Sequence, residues 1–219
     1  MRNLLMRLFG GSCYLCRGAA ESLLCAACDA DLPRLGADVC PRCALPSPVG
    51  QLCGRCLGQP PHYDATIAAL SYAFPADALV QALKFRGELA LSSLLGKLLA
   101  DRIARETVDR LIAVPLSPAR LRDRGYNQSV EIARHVMPAK LDVDTCVRTR
   151  EAAPQMGLPF DERRRNVRGA FQCTRSLLGE RIAVVDDVMT TGATLDELAS
   201  TLKHAGAAYV VNWVVTRTA

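Results

Sequence analysis

Apolar residues recur along this chain with two periods, and the change from one to the other marks its elements. Ala65 to Phe74 is almost continuously apolar and reads as a buried strand. Pro75 opens a helix to about Phe85, and Leu89, Leu94, Leu95, Leu98, Leu99 and Ile103 return at helical spacing in a longer one. Leu111–Val114 is a short apolar run, followed by a polar loop from Pro115 to Gln128 and a helix to about Val136. Val143–Val147 is a strand candidate, and Ala170–Cys173 an edge strand. Ile182–Val185 is short, apolar and β-branched, and a helix from near Thr194 to Ala205 sets Leu195, Leu198 and Leu202 on one face. Ala208–Val215 is the last strand. Strands alternating with helices predict an α/β fold, a parallel, doubly wound sheet with helices on both faces.

The first 58 residues follow neither period. Eight of the ten cysteines form four C-x-x-C pairs there: Cys13/Cys16, Cys25/Cys28, Cys40/Cys43 and Cys53/Cys56. Met1 to Phe9 is apolar but broken by Arg2 and Arg7, so it lacks the core of a secretory signal. It reads as a short amphipathic helix, packed on the protein or touching a membrane or partner. Without a secretion signal the compartment is reducing and disulfides are disfavoured. Cys53 and Cys56 alone would suit a thioredoxin-like pair, but four pairs in series have the spacing of zinc ribbons. Two sites of four cysteines each are expected. Pairing in sequence order closes the shortest loops, and a cross-braced pairing also satisfies the spacing. Cys146 and Cys173 stand alone. The expected organisation is a double zinc ribbon over 1–58, a linker over 59–62 and an α/β domain over 63–219, with His62 at the surface. The ribbon has too few apolar residues to fold without its metal.

The formal charge of +5 changes meaning once zinc is counted. Each Zn²⁺ held by four thiolates makes a centre with a charge of about −2, which brings the chain to about +1. Any case for nucleic acid therefore rests on local basic clusters. No apolar run reaches the ~18 residues of a transmembrane helix.

One stretch carries chemistry. Asp186 and Asp187 follow the Ile182–Val185 strand, and Thr190, Thr191, Gly192, Ala193 and Thr194 then turn into a helix. Backbone N–H groups at such a turn, with the helix dipole behind them, favour a phosphate. The carboxylates accept from hydroxyls and can help hold Mg²⁺. A phosphorylated ribose satisfies both halves. The Pro115–Gln128 loop leaves another strand end and so lands near this stretch. Arg120, Arg122 and Arg124 there offer cations for pyrophosphate, and Gly125 allows close backbone approach. Arg148 to Arg168 is a second basic stretch, with Arg148, Arg150, Arg163, Arg164, Arg165 and Arg168, and with Phe160 and Phe171 as stacking candidates. Its arginines suit leaving pyrophosphate, a nucleic-acid backbone, or a solvated face.

The residues from Ile182 to Thr194 resemble the signature of type I phosphoribosyltransferases, which bind 5-phosphoribosyl-1-pyrophosphate (PRPP). That resemblance implies Asp186 and Asp187 on the ribose hydroxyls, Thr190 to Thr194 around the 5′-phosphate, and Mg²⁺ with the ligand. Further motifs narrow it: the cysteine module, Lys84 and Phe85, Val114 to Leu116, Arg124 to Gln128, Arg148, Arg150, Gln155 and Arg164 to Val167. Together they resemble the competence protein F (ComF) family, a double zinc ribbon joined to a phosphoribosyltransferase domain. The resemblance implies a role in DNA uptake during natural transformation, with single-stranded DNA and other competence proteins as partners. With no secretory signal the expected compartment is the cytoplasm, and the Met1–Phe9 stretch makes peripheral contact at the inner membrane an option. Thr190 stands where 6-oxopurine phosphoribosyltransferases carry an acid, which disfavours their base chemistry. Ammonia release from glutamine is also disfavoured, because the chain is too short for a glutaminase domain and its first cysteine, Cys13, belongs to a zinc pair. An active transferase with an unidentified acceptor and a PRPP sensor both remain open.

Overall fold

The computed structural model describes residues 11–103, 106–150 and 167–219. Strands β1 (Gly11–Ser12) and β2 (Ala19–Ala20) and the short helices α1 (Ala26–Ala30) and α2 (Gly54–Gly58) make up the cysteine-rich part. There follow β3 (Ala65–Ser71), α3 (Ala76–Phe85), α4 (Ala90–Arg102), β4 (Arg110–Ala113), α5 (Pro118–Arg124) and α6 (Gln128–Ala133). The chain continues through β5 (Leu141–Asp142), β6 (Cys146–Arg148), β7 (Phe171–Cys173), β8 (Arg181–Met189), α7 (Ala193–His204) and β9 (Tyr209–Arg217).

Five strands form one sheet in the order β3-β9-β8-β4-β5, with every pair parallel. The central strands β8 and β9 are buried on both sides, which is why they read as apolar runs. Ala183, Val185, Val211, Trp213 and Val215 pack toward α3, α4 and α6. Their neighbours Ile182, Val184, Val210 and Val214 pack toward α7. Helices thus cover both faces, the expected fold class. Gly96 of α4 is needed where that helix meets α6: a Cβ there would lie 2.6 Å from His135 Cβ and 2.8 Å from the Ile132 carbonyl.

The cysteine-rich part grips the outer edge of this sheet. Cys13, Leu24 and Leu32 join the core on one face, and Cys40, Cys43, Ala44 and Cys56 join the core on the other. Between them the chain pairs antiparallel with β3. Leu35 N–H donates to the Ala69 carbonyl at 3.1 Å, and Ser71 N–H donates to the Pro33 carbonyl at 2.8 Å.

Three expectations are corrected. The Pro115–Gln128 loop contains a helix, α5, with Ser117 as its N-cap, Pro118 in its first turn and Gly125 closing it at φ 80°. Val143–Val147 is not one strand. The Asp142 carboxylate accepts from the N–H groups of Asp144 and Thr145 and from the Thr145 hydroxyl, which turns the chain and leaves Val143 exposed. The chain then re-enters as β6, antiparallel to β7, with Cys146 opposite Cys173, so these two cysteines do not stand alone. Finally, Asp186 and Asp187 lie inside β8 rather than beyond it. Strand β9 keeps pairing as far as Met189 and Arg217, while β4 stops with Ala113 opposite Val185.

Met1–Phe9 lies outside the described residues, as does 151–166 with Gln155, Phe160, Arg163, Arg164 and Arg165. Among the described residues no helix is long and apolar enough to cross a membrane.

Candidate functional site

Because β4 ends early, the last four residues of β8, Asp186–Met189, have a strand neighbour on one side only. That opens a crevice at the C-terminal end of the sheet, the place where parallel α/β sheets accept ligands. Asp186 and Asp187 stand in it. Asp187 is 2% exposed and pairs with Lys84 of α3, Nζ to Oδ2 at 2.8 Å. Asp186 is half-buried and accepts from the Ser129 hydroxyl of α6 at 3.0 Å. Burial, and next the Asp187 charge, push the Asp186 carboxyl up to about 7, while Lys84 and the Ser129 hydroxyl pull it the other way. Near neutral pH the pair therefore exchanges a proton. Burial works against the Lys84 charge, but the Asp187 carboxylate outweighs it and holds that ammonium above its usual range.

The residues from Arg124 to Ser129 build one wall of the crevice. Arg124 donates to the Gln128 side chain and lies over the Phe85 ring, its guanidinium 5.6 Å from the centroid. Tyr126 donates its hydroxyl to the Leu83 carbonyl, tying the turn to α3. Asn127 caps α6 through its side-chain oxygen and donates its amide to the Val114 carbonyl at 3.0 Å. Gly125 acts as the left-handed cap of α5. These contacts fix the turn that carries Ser129, whose hydroxyl meets Asp186.

On the other side of the carboxylates, β8 runs into the Thr190–Thr194 turn. Gly192 adopts φ 79°, where a side chain is strained, and a Cβ there would meet Met189 Cε at 2.7 Å and the Tyr63 hydroxyl at 3.2 Å. Thr191 Oγ1 accepts from the Ala193 N–H at 3.3 Å. Helix α7 starts within this turn, at Ala193 with Gly192 as its N-cap, so its dipole points at it.

The predicted arginines are not equivalent. Arg120 and Arg122 are exposed on α5. Arg150 is exposed and donates to the Arg168 carbonyl at 3.2 Å. Arg148 is only 8% exposed and stacks on Phe171, 5.4 Å from the ring centroid. Its Nε also donates to the Arg150 carbonyl at 3.2 Å. The second basic stretch returns beside the turn, where Val167 packs on Ala193 and the Gly169 N–H donates to Glu197 of α7 at 2.7 Å. Three residues were not singled out as parts of the pocket: Ser129, Arg55 and Arg217. Ser129 follows the quoted Arg124–Gln128 motif directly. Nothing in the pattern distinguishes Arg55 or Arg217 from solvated arginines.

The eight ribbon cysteines fall into two groups in sequence order: Cys13, Cys16, Cys25 and Cys28, and Cys40, Cys43, Cys53 and Cys56. Within each group the sulfurs all lie within 4.8 Å of one another. A tetrahedral zinc with Zn–S bonds of about 2.3 Å sets its sulfurs about 3.8 Å apart. Cys16 and Cys25 Sγ are 3.7 Å apart, and Cys43 and Cys53 Sγ are 3.5 Å apart. The Cys53 N–H also points at Cys40 Sγ, at 3.4 Å. Both groups fit a structural zinc held by four thiolates. His62 belongs to neither; its ring and its backbone N–H both meet Asp196 in the first turn of α7.

Residues 4–57 match the double zinc ribbon domain family. Across 95% of its length the chain is 36% identical to DNA utilization protein YhgH of Escherichia coli O157:H7, covering 97% of that protein. It is 31% identical over 97% of its length to competence protein F of Haemophilus influenzae, covering all of it. Among solved structures, a glutamine phosphoribosylpyrophosphate amidotransferase from B. subtilis aligns with 55% of the chain at 25% identity and a TM-score of 0.37, and the alignment spans a quarter of that enzyme. With full-length identity at this level and a double zinc ribbon ahead of a parallel sheet, the chain belongs to the competence protein F (ComF) family.

Proposed function

We propose that this protein binds Mg²⁺–PRPP in the crevice at the end of β8 and uses the bound state to handle single-stranded DNA during uptake. The observation that carries the reading is the arrangement of the Asp186–Asp187 pair. It lies between Lys84 and Ser129 on one side and the Thr190–Thr194 turn with its helix dipole on the other. Paired carboxylates suit vicinal ribose hydroxyls, and the turn suits a 5′-phosphate. Magnesium enters with the pyrophosphate and takes oxygen donors of the kind this crevice offers. Zinc, two ions per chain, is structural. The DNA role draws on what the relatives are called, DNA utilization protein and competence protein F. Exposed Arg120, Arg122 and Arg150 offer phosphate contacts for it. The compartment in this reading is the cytoplasm, at or near the inner membrane, with other competence proteins as partners.

Calorimetry of Mg²⁺–PRPP against wild type, Asp186→Asn and Asp187→Asn tests the pocket. Each substitution removes a charged acceptor worth about 1.5–3 kcal/mol, so binding weakens about 10- to 100-fold. Equal heats in all three remove the carboxylates from the site. The same titration with single-stranded DNA present reports whether the two ligands are linked. Pyrophosphate release across candidate acceptors separates an active transferase from a non-catalytic sensor, the two alternatives that share this pocket.

A further inference from the structure

The second cysteine cluster touches the phosphate turn through two guanidinium groups. Arg217, at the end of β9, is 3% exposed. Its Nε donates to the Cys43 carbonyl at 2.8 Å, and its Nη1 donates to the carbonyls of Met189 at 2.9 Å and Thr190 at 2.5 Å. Arg55, between Cys53 and Cys56, donates to the Thr191 carbonyl at 2.5 Å. Among the described residues Arg217 has no carboxylate partner, which is unusual for a buried charge. The counter-charge at hand is the zinc centre itself, whose four thiolates leave it about −2. In a planar trans peptide the N–H points opposite the preceding C=O. With the Thr190 and Thr191 carbonyls held toward the cysteine cluster, the N–H groups of Thr191 and Gly192 face away from it, toward an incoming anion.

We infer that Arg217 and Arg55 are positioning residues that couple the second zinc centre to the phosphate turn, so that this zinc sets the affinity for PRPP and bound PRPP in turn retains the zinc. The inference rests on the PRPP reading above. Its consequence is reciprocal: whatever zinc adds to PRPP binding, PRPP adds to zinc binding. The first cluster, whose members pack on the opposite face, has no such contact among the described residues.

The test uses the full chain with two zinc ions, confirmed by metal analysis for every variant. Arg55→Ala is the main variant, and Arg217→Lys, which keeps the charge but loses the planar fork, is the second. Both are expected to retain two zinc ions and to bind Mg²⁺–PRPP about tenfold more weakly. In wild type, PRPP is expected to slow the chelator-driven release of one zinc equivalent and leave the other unchanged; Arg55→Ala removes that protection. Zinc release that ignores PRPP in a wild type that binds it overturns the coupling and leaves the pocket intact. So do two fully metallated variants with wild-type PRPP affinity. A wild type that binds no PRPP overturns the pocket reading, and the inference with it.

Discussion

At the scale of single residues, Asp142 shows how a carboxylate builds a turn. Burial works against its charge, yet the Thr145 hydroxyl, the N–H groups of Thr145 and Asp144, and Arg110 hold its carboxyl down to about 2. The unfolded carboxyl titrates near 3.9. A group lowered on folding adds stability above that value and loses it as pH falls toward 2. Asp142→Asn is therefore expected to cost about 2 kcal/mol at pH 7, with the difference from wild type shrinking between pH 4 and pH 2. Urea melts at those pH values read it directly, and parallel curves would contradict it. The residues of the crevice were unevenly legible. Asp186, Asp187 and the Thr190–Thr194 turn stood out because adjacent acids after an apolar run have few other uses. Lys84 was visible only as part of a family motif, since an amphipathic helix carries lysines for many reasons. Arg217 was hidden altogether, because what buries it is a neighbour 174 residues away, the Cys43 carbonyl.

At the scale of elements, α4 and α6 set the site through one close approach. Gly96 lets the Ile132 carbonyl and His135 come within reach of its backbone. A methyl at that position gains helix propensity worth about 1 kcal/mol but must push α6 away, at a cost of about 1–3 kcal/mol. Gly96→Ala is expected to lower the thermal midpoint by a few degrees and to weaken PRPP binding at the same time, because α6 carries Ser129. A variant that melts like wild type would show that the helices can separate freely. The sequence indicated α3, α4, α7 and the three central strands because their apolar periods are long. It missed α5, which has three arginines and no apolar stripe, and which forms around the Ser117 cap and Pro118. It ended β8 at Val185 because how far that strand runs depends on the length of β9, which no local pattern reveals.

At the scale of the whole molecule, the boundary proposed at residues 58–63 divides sequence but not packing. Of the first cluster Cys13, Cys25 and Cys28 pack in the core on one face of the sheet, and all four cysteines of the second pack in the core on the other. Structural zinc contributes about 10–16 kcal/mol in finger peptides, comparable to the entire stability of a typical domain. Metal analysis is expected to find two zinc ions per chain. Chelation is expected to abolish the helical circular-dichroism signal of the α/β part as well as to unfold the first 58 residues. A zinc-free chain that keeps its helical signal and melting point would place the metal outside the fold's energetics. Tertiary burial of Leu24 and Leu32 was not foreseeable, since two leucines among knuckles carry no periodicity.

The antiparallel contact of Pro33–Leu35 with β3 also bears on assembly. The strand that fills the inner side of β3 is β9, at Ala65–Val211 and onward. On a ribosome, β3 is made with its outer partner already present and its inner partner still well over a hundred residues away. The metal-bound knuckles are thus expected to act as a template that holds the first strand of the sheet in an extended form while the rest is synthesised. They also shield its open edge from other nascent chains during that wait.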